Sequence, residues 1–575
     1  MRLSEIELRN FRGIGSLHLP LDGLAVLIGE NNTGKSTVLE AIRLVLTRGF
    51  GIRRGGQFTE YDFHLKDAGA APQTADPISI ILHFAEEREN EWPDAVIQQM
   101  DEVIQFDPKT GFRHIRLQAK GVFNSDSASF ETQWAFLDAK GAELPLKNAA
   151  QINLITRFVP IFFLSALRDT SREFGQRGQF WSGFLKSIQL PDDEREQLEE
   201  NLREINETLI GANPGLTEVT KKIADTGQFV PLDSDNPVAL ETIPTRVFDM
   251  IGKIQVHLKS SYGAKLPLQH HGEGTQSLAV LMLFQAFVAT NLAEAYAPES
   301  TPILALEEPE AHLHPSAIRS LGSFLKDMTG QILVSSHSGD LVSRVPITAL
   351  RRLYKQDGKT KIGRVERDAF TDRELQAVDY NIRLARGHYL FSRCWLLVEG
   401  ESEFHLMPLL FEAMGYDQDQ VGFSIIEISQ VTDKGEPLIK LAKALGIRWF
   451  SMADGDEGGN EYIKRAKRHL DEGEDLADYA RQLSYADIEH EFWHNGYADF
   501  IENMLSPNAS KGQIDTQAGD EEKKTKILIK SAIKQAGGKP AFAKALADET
   551  ARRSPDAIPP SIRAIIKRVV RLAEG

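Results

Sequence analysis

Cysteine occurs once in 575 residues, at Cys394. One thiol cannot build an internal disulfide framework or a cysteine zinc cluster. It stands beside an apolar run, which predicts a buried structural thiol rather than a nucleophile. Long apolar runs are missing too: none approaches the ~20 residues needed to span a bilayer. The chain opens MRLSEIELRNFRG, charged throughout, so no signal peptide is expected. A cytoplasmic protein without membrane contact is expected. Positive charge is in deficit, with 66 Lys and Arg against 82 Asp and Glu and a net charge of −16. That balance argues against a protein that coats nucleic acid generally. It leaves room for a local basic patch. The stretch from Lys523 to Arg571 is such a patch, where Lys530, Lys534, Arg552, Arg553, Arg563, Lys567 and Arg568 stand among few acids.

What is present is an ordinary soluble composition, 42% hydrophobic and 26% charged, in a chain too long for one core. The clearest motif is LAVLIGENNTGKSTVLEAIRLVL. Leu24–Ile28 reads as a strand. Gly29 to Ser36 fits the phosphate-loop pattern G-x-x-x-x-G-K-[ST], and a helix with apolar Val38, Leu39, Ile42, Leu44 and Val45 follows. The glycines let backbone N–H groups curl around phosphates. The Lys35 ammonium meets the β/γ-phosphates, and the Ser36 hydroxyl joins Mg²⁺. Asn31, Asn32, Gly34, Lys35, Ser36 and Thr37 are the ATP-binding candidates. Far along the chain, TPILALEEPEAHLHP is a strand ending in Glu307 and Glu308. One carboxylate can hold Mg²⁺ through water, and the next can orient a water on the γ-phosphate. QILVSSHSGDL then gives a strand, Ile332–Ser335, leading to His337, a candidate γ-phosphate contact.

This order resembles the ABC-type ATPases, in the branch shared by chromosome-maintenance and double-strand-break-repair ATPases. IELRNFRGIGSLHLPL is similar to the opening of that branch, and the resemblance implies that Arg12 lies near the nucleotide. It also implies a signature segment that closes on ATP from a partner subunit. HHGEGTQSLAVLML, with Gly272, Gly274, Thr275, Gln276 and Ser277, is the nearest match and departs from the usual Leu-Ser-Gly-Gly. Glu307 stands where aspartate is commoner, which implies altered metal geometry and slow turnover. Between the halves, PISIILHF and RHIRLQAKGVF read as strands of an accessory sheet. DDEREQLEENLREINETLI places Leu198, Leu202, Ile205 and Leu209 at helical spacing, either core packing or a dimer seam. A compact helical insertion that helps dimerisation is the favoured reading.

A second unit begins at FSRCWLLVEGESEFH. Trp395–Val398 reads as a buried strand running into Glu399, Glu401 and Glu403. IRWFSMADGDEGGNEYI gives another, Ile447–Ala453, ending in Asp454 and Asp456. Two parallel strands ending in acids bring those acids to one sheet edge, where ligands collect. Ionised together in a dry cleft they need a counter-charge, and an all-oxygen set points to Mg²⁺ or Mn²⁺. Glu401 is expected to face solvent by alternation.

This pattern resembles the toprim fold. An ABC-type ATPase followed by a toprim domain resembles one family over nearly the whole chain, the overcoming-lysogenization-defect (OLD) nucleases, and more distantly the Gabija nuclease subunit. The resemblance implies a two-metal site of Glu399, Glu403, Asp454 and Asp456, with Asp487 and Glu489 of YADIEHEFW on the second metal. Those two share a face if the segment is extended, so a strand is expected there. It implies a lysine near the scissile phosphate, assigned to Lys567, and Glu308 as the ATPase carboxylate. The expected fold is α/β, a split ABC-type ATPase with a helical dimerisation insertion, then a toprim domain with a helical C-terminal part. The boundaries are 1–160 and 266–380 for the ATPase lobes, 161–265 for the insertion and 381–575 for the toprim part. The leading function is an ATP-controlled, metal-dependent DNA endonuclease, with phage defence implied by the resemblance alone. A homodimer or higher oligomer and a partner such as a helicase are expected. Two alternatives stay open: an ATP-dependent DNA clamp or repair mediator that does not cut, and an RNA-processing nuclease.

Overall fold

The computed structural model describes residues 1–47, 58–67, 69–145, 151–164, 190–224, 241–247, 249, 256–259, 265–290, 296–385, 387–429, 431–505 and 521–575. Much of the expected insertion, including 165–189 and 225–240, lies outside the described residues. The first lobe is an antiparallel sheet built on β1 (Leu3–Phe11), β2 (Ile14–Pro20), β4 (Ile78–Ala85), β5 (Gln105–Phe106), β6 (Arg113–Asn124) and β7 (Ser129–Leu137). β3 (Leu24–Gly29) leaves it for a second sheet, in the order β14-β13-β3-β12-β11-β8. Its other members are β8 (Ile161–Leu164), β11 (Ile303–Glu307), β12 (Gln331–Ser335), β13 (Leu350–Gln356) and β14 (Lys359–Arg364). A short hairpin, β9 (His257–Lys259) with β10 (Lys265–Pro267), stands apart. β3, β8, β11, β12 and β13 run parallel, and only β14 is antiparallel. Strands covered on both faces need near-continuous apolar sequence, as ILALE and QILVS have.

The second unit is a parallel sheet, order β16-β15-β17-β18, of β15 (Cys394–Val398), β16 (Phe423–Glu427), β17 (Arg448–Ala453) and β18 (Ala480–Gln482). Every residue of β15 is buried. One apolar cluster runs from Val26, Ile28 and Leu350 through Trp395 and Leu397 to Leu441 and Leu445, so the two units share a core. At the seam Gly363 of β14 lies against the Leu445 backbone where a Cβ would collide.

Within one chain the stripe on α2 (Asp192–Gly211) is not core: Leu198, Ile205 and Leu209 are 43%, 49% and 45% exposed. The buried contact on that helix is polar instead. Asn206 Oδ1 accepts from the Thr242 N–H and hydroxyl, both at 2.7 Å. Among the described residues no helix is long and apolar enough to cross a membrane.

Candidate functional site

Parallel sheets gather their sites at the C-terminal strand ends, and both sheets do so here. β3 ends in Gly29, at φ 139°, and α1 (Lys35–Leu46) starts after Gly34, at φ 105°. A Cβ on Gly34 would press on Ile14 at 2.8 Å. Lys35 Nζ donates to the Gly29 carbonyl at 2.9 Å and to the Glu30 carbonyl at 2.7 Å. Burial holds its ammonium down to about 8, against the pull of Glu308 and Glu30. Asn31, Asn32 and Ser36 are exposed, and Thr37 is half-buried. Glu307 closes β11. Glu308 follows at φ 46°, an uncommon conformation for a side-chain-bearing residue. Its carboxylate is 3.6 Å from His337 Nε2. Burial and then Lys35 pull His337 below its ordinary value. Arg12 Nε donates to Asp62 at 2.8 Å, and its guanidinium is 3.8 Å from Glu40 on α1. The signature segment opens α3 (Glu273–Thr290), where Gly274 admits the His312 carbonyl closely.

Sequence reasoning missed Glu310. Its Oε1 accepts from the Ser336 hydroxyl at 2.6 Å and the His337 N–H at 2.9 Å, so it fixes the histidine loop to the end of β11. Its Oε2 is buried without a hydrogen-bond partner, and burial raises its pKa.

In the toprim sheet β15 and β17 are adjacent, with Val398 opposite Met452, so Glu399 and Asp454 leave side by side. Glu399 Oε2 accepts from the Asp454 N–H at 3.2 Å. Glu403 sits one turn into α4 (Glu401–Ala413), 3% exposed, and accepts from the Gly400 N–H at 3.0 Å. Burial and then Glu489 push Glu403 up to about 7. Asp454 is pushed up to about 9 by burial, then by Glu403, Glu399, Asp487 and Glu489. Its Oδ1 is buried with no hydrogen-bond partner. Gly459 lies against the Asp454 carbonyl and Gly455 against that of Tyr485, where any Cβ would collide. Asp456 caps α6 (Glu457–Lys467), after α5 (Glu436–Leu445), by accepting from the Gly459 N–H at 2.8 Å.

Asp487 and Glu489 join the cluster, but in a helix rather than a strand. Asp487 is the N-cap of α7 (Ile488–Phe492), accepting from the His490 N–H at 2.9 Å. Burial works to raise it; the bonds to His490, at 2.6 Å on the ring, outweigh burial and hold it below the usual carboxylate range. Glu489 lies inside the helix and accepts from the Ser402 hydroxyl at 2.5 Å, with burial and Asp487 raising it. Glu401 is exposed because it opens α4, not because a strand alternates.

Lys567 is not brought to these acids. It is exposed on α10 (Pro560–Glu574), where its neighbour Arg568 pairs with Asp478 at 3.1 Å. The basic residue whose charge reaches Glu403 and Glu489 is Lys539, first residue of α9 (Lys539–Arg553) after α8 (Glu521–Ala536). Its helix N-terminus adds a positive partial charge to the same side. Lys434 does the same for Glu399, from a turn in which Asp433 and Lys434 both have positive φ. The segment GGKP could have found Lys539: two glycines, a cation and proline mark a helix start.

As they stand, no three His, Cys, Asp or Glu among the described residues already converge to chelate an ion. The cluster nonetheless has what a divalent cation needs: an all-oxygen donor set, an unpartnered buried carboxylate oxygen and mutual repulsion to relieve.

Residues 1–342 match the AAA ATPase domain family, and 390–456 match the overcoming lysogenization defect protein-like TOPRIM domain. The chain belongs to the AAA ATPase domain family and carries an OLD-like TOPRIM domain behind that ATPase. It is similar to the uncharacterized protein YbjD of Escherichia coli, 25% identical over 100% of both chains. It is also similar to the OLD nuclease of Thermus scotoductus, 25% identical over 79% of this chain and 82% of that one. Endonuclease GajA of Bacillus cereus is 22% identical over 74% of this chain and 71% of its own. Among solved structures, the C-terminal region of the Burkholderia pseudomallei OLD protein is 24% identical, with a TM-score of 0.26, covering 32% of this chain and 99% of that one. The chain thus pairs a nucleotide-binding ATPase domain with a toprim domain, and such domains use divalent metal.

Proposed function

We propose that this protein is an ATP-binding, Mg²⁺- or Mn²⁺-dependent DNA endonuclease. Its toprim part, 381–575, hydrolyses phosphodiesters, and the ATPase lobes, 1–160 and 266–380, control it. The observation that carries this reading is the partnerless Asp454 Oδ1, ringed by Glu399, Glu403, Asp487 and Glu489. Relatives named OLD nuclease and endonuclease GajA support it. Glu399, Glu403, Asp454 and Asp456 would hold one metal, and Asp487 and Glu489 a second. When bound, such a pair activates water and stabilises the leaving 3′-oxygen. Lys539 faces the incoming phosphate in the role first given to Lys567. Ser402 and His490 orient Glu489 and Asp487. In the ATPase, Lys35, Ser36 and the loop amides hold the triphosphate, Glu307 serves its Mg²⁺, Glu308 orients the attacking water, and His337 contacts the γ-phosphate. The insertion, 161–265, serves a homodimer through the exposed α2 stripe. Phage defence or DNA processing, with a helicase as partner, is the proposed setting.

Cleavage of supercoiled plasmid in Mg²⁺ or Mn²⁺, with and without ATP, tests this. Native protein should cut and Asp454→Ala should not. Equal cutting by both would place the active site elsewhere and sink the reading.

A further inference from the structure

We infer that Arg393 and Arg352 are positioning residues that tie the phosphate loop to the strands bearing the carboxylates, so that nucleotide binding resets the carboxylate geometry. The inference rests on the proposed nucleotide and metal sites and names the link between them.

Glu30 is the second residue of the phosphate loop. Its carbonyl accepts from Lys35 Nζ at 2.7 Å. Its carboxylate takes a two-pronged grip from Arg393, Nε at 2.5 Å and Nη2 at 3.0 Å. Arg393 is the residue before β15. Its N–H donates to the Gly422 carbonyl, just before β16, at 2.7 Å, and its carbonyl accepts from the N–H of Arg448, first of β17, at 3.0 Å. The backbone of this one residue therefore holds the starts of three toprim strands, two of which lead into Glu399 and Asp454.

A second tie is buried. Arg352 on β13 is in register with Ile28 of β3. The residue is 3% exposed, and its guanidinium donates to the carbonyls of Leu390, Ser392, Leu445 and Gly446 at 3.2, 2.9, 3.3 and 3.0 Å. Leu390 and Ser392 lead into β15; Leu445 and Gly446 lead into β17. Each strand is a stiff span of about 17 Å between its tied start and its acidic end. A cavity of about 730 Å³ opens beside the loop, lined by Glu30, Asn31, His337, Tyr389, Ser392 and Arg393 among others.

Nucleotide must disturb this arrangement. A triphosphate recruits the Lys35 ammonium from the Gly29 and Glu30 carbonyls. It also sets negative charge beside the Glu30 carboxylate, which strengthens the demand on Arg393. The Arg352 tie stays fixed, so Arg393 is the movable contact. With side chains 46% and 40% exposed, the pair can bias an equilibrium by up to about fivefold.

Hydrogen–deuterium exchange of the full chain with the non-hydrolysable analogue AMP-PNP tests this without relying on cleavage. In native protein, AMP-PNP should slow exchange at 28–37 and also change it at 390–398 and 446–453. In Arg393→Gln the first effect should persist and the second should fall at least about threefold; Arg393→Lys should recover part of it. Loop protection with unaltered strand starts in native protein, or the native strand response in Arg393→Gln, overturns the inference. No protection of the loop in native protein overturns the nucleotide site together with the inference. A coupled response in a protein that never cuts plasmid would remove the nuclease reading alone.

Discussion

The test with the most leverage on the carboxylate cluster is Asp454→Asn, read as stability rather than activity. In the folded chain without metal, Asp454 is pushed up to about 9, by burial first and then by its acidic neighbours. In an unfolded chain it titrates near ~3.9. Between those values the folded state keeps a proton that the unfolded state releases. Stability therefore falls as pH rises from about 4 to about 9. At ~1.36 kcal/mol per unit, the ceiling is about 7 kcal/mol. Proton sharing with Glu403 and solvent at a half-buried group reduce this to ~2–3 kcal/mol at pH 8. Asparagine keeps the shape and cannot ionise. Asp454→Asn should melt a few degrees higher than native protein in EDTA at pH 8. The gap should narrow toward pH 5, where native Asp454 is protonated in the fold. Mg²⁺ should reverse the order: at 100 times its Kd it adds ~2.7 kcal/mol to native protein and little to the variant. Thermal unfolding in EDTA and in Mg²⁺ at both pH values measures all of this. An Asp454→Asn protein no more stable than native at pH 8, or equal stabilisation of both by Mg²⁺, would refute the reasoning.

Lys539→Ala should lower plasmid cleavage at least about 100-fold, whereas Lys567→Ala should stay within about twofold; the reverse ranking would restore Lys567 to the site. Lys35→Ala should weaken binding of a fluorescent ATP analogue at least about 100-fold while leaving the far-UV circular dichroism unchanged. Glu308→Gln should bind that analogue as native protein does but hydrolyse ATP at least about tenfold more slowly, checked by phosphate release. Cys394 is fully buried and its thiol is pushed up to about 12 by burial. It should resist a disulfide reagent at pH 8 until urea unfolds the chain, and prompt labelling of native protein would contradict that placement.

The strands that carry the chemistry were legible because both their faces are covered, which forces continuous apolar runs that stop where function starts. Leu24–Ile28 and Ile447–Ala453 differ from the observed strands by a single end residue. The acids at those ends were legible for the same reason: Glu399 and Asp454 interrupt a pattern that packing alone would continue. Residues whose role depends on where the chain returns were not. Asp487 and Glu489 carry an i, i+2 spacing that suits a strand, but Asp487 satisfies the His490 N–H, and that cap decides for a helix. Lys539 and Lys567 look alike in a basic C-terminal stretch. Only the fold shows one helix starting at the acids and the other presenting its lysine to solvent. Arg352 is the extreme case. In RRLYKQ it reads as one more basic strand residue, yet it is buried and burial lowers its pKa to about 10. A cation accepts that cost only against several carbonyl partners. Its four partners come from two segments about 40 and 90 residues away, so no local pattern can announce them. The apolar runs thus mark each sheet separately, while the link between the ATPase and the toprim sheet is written in polar groups whose meaning exists only after both have folded.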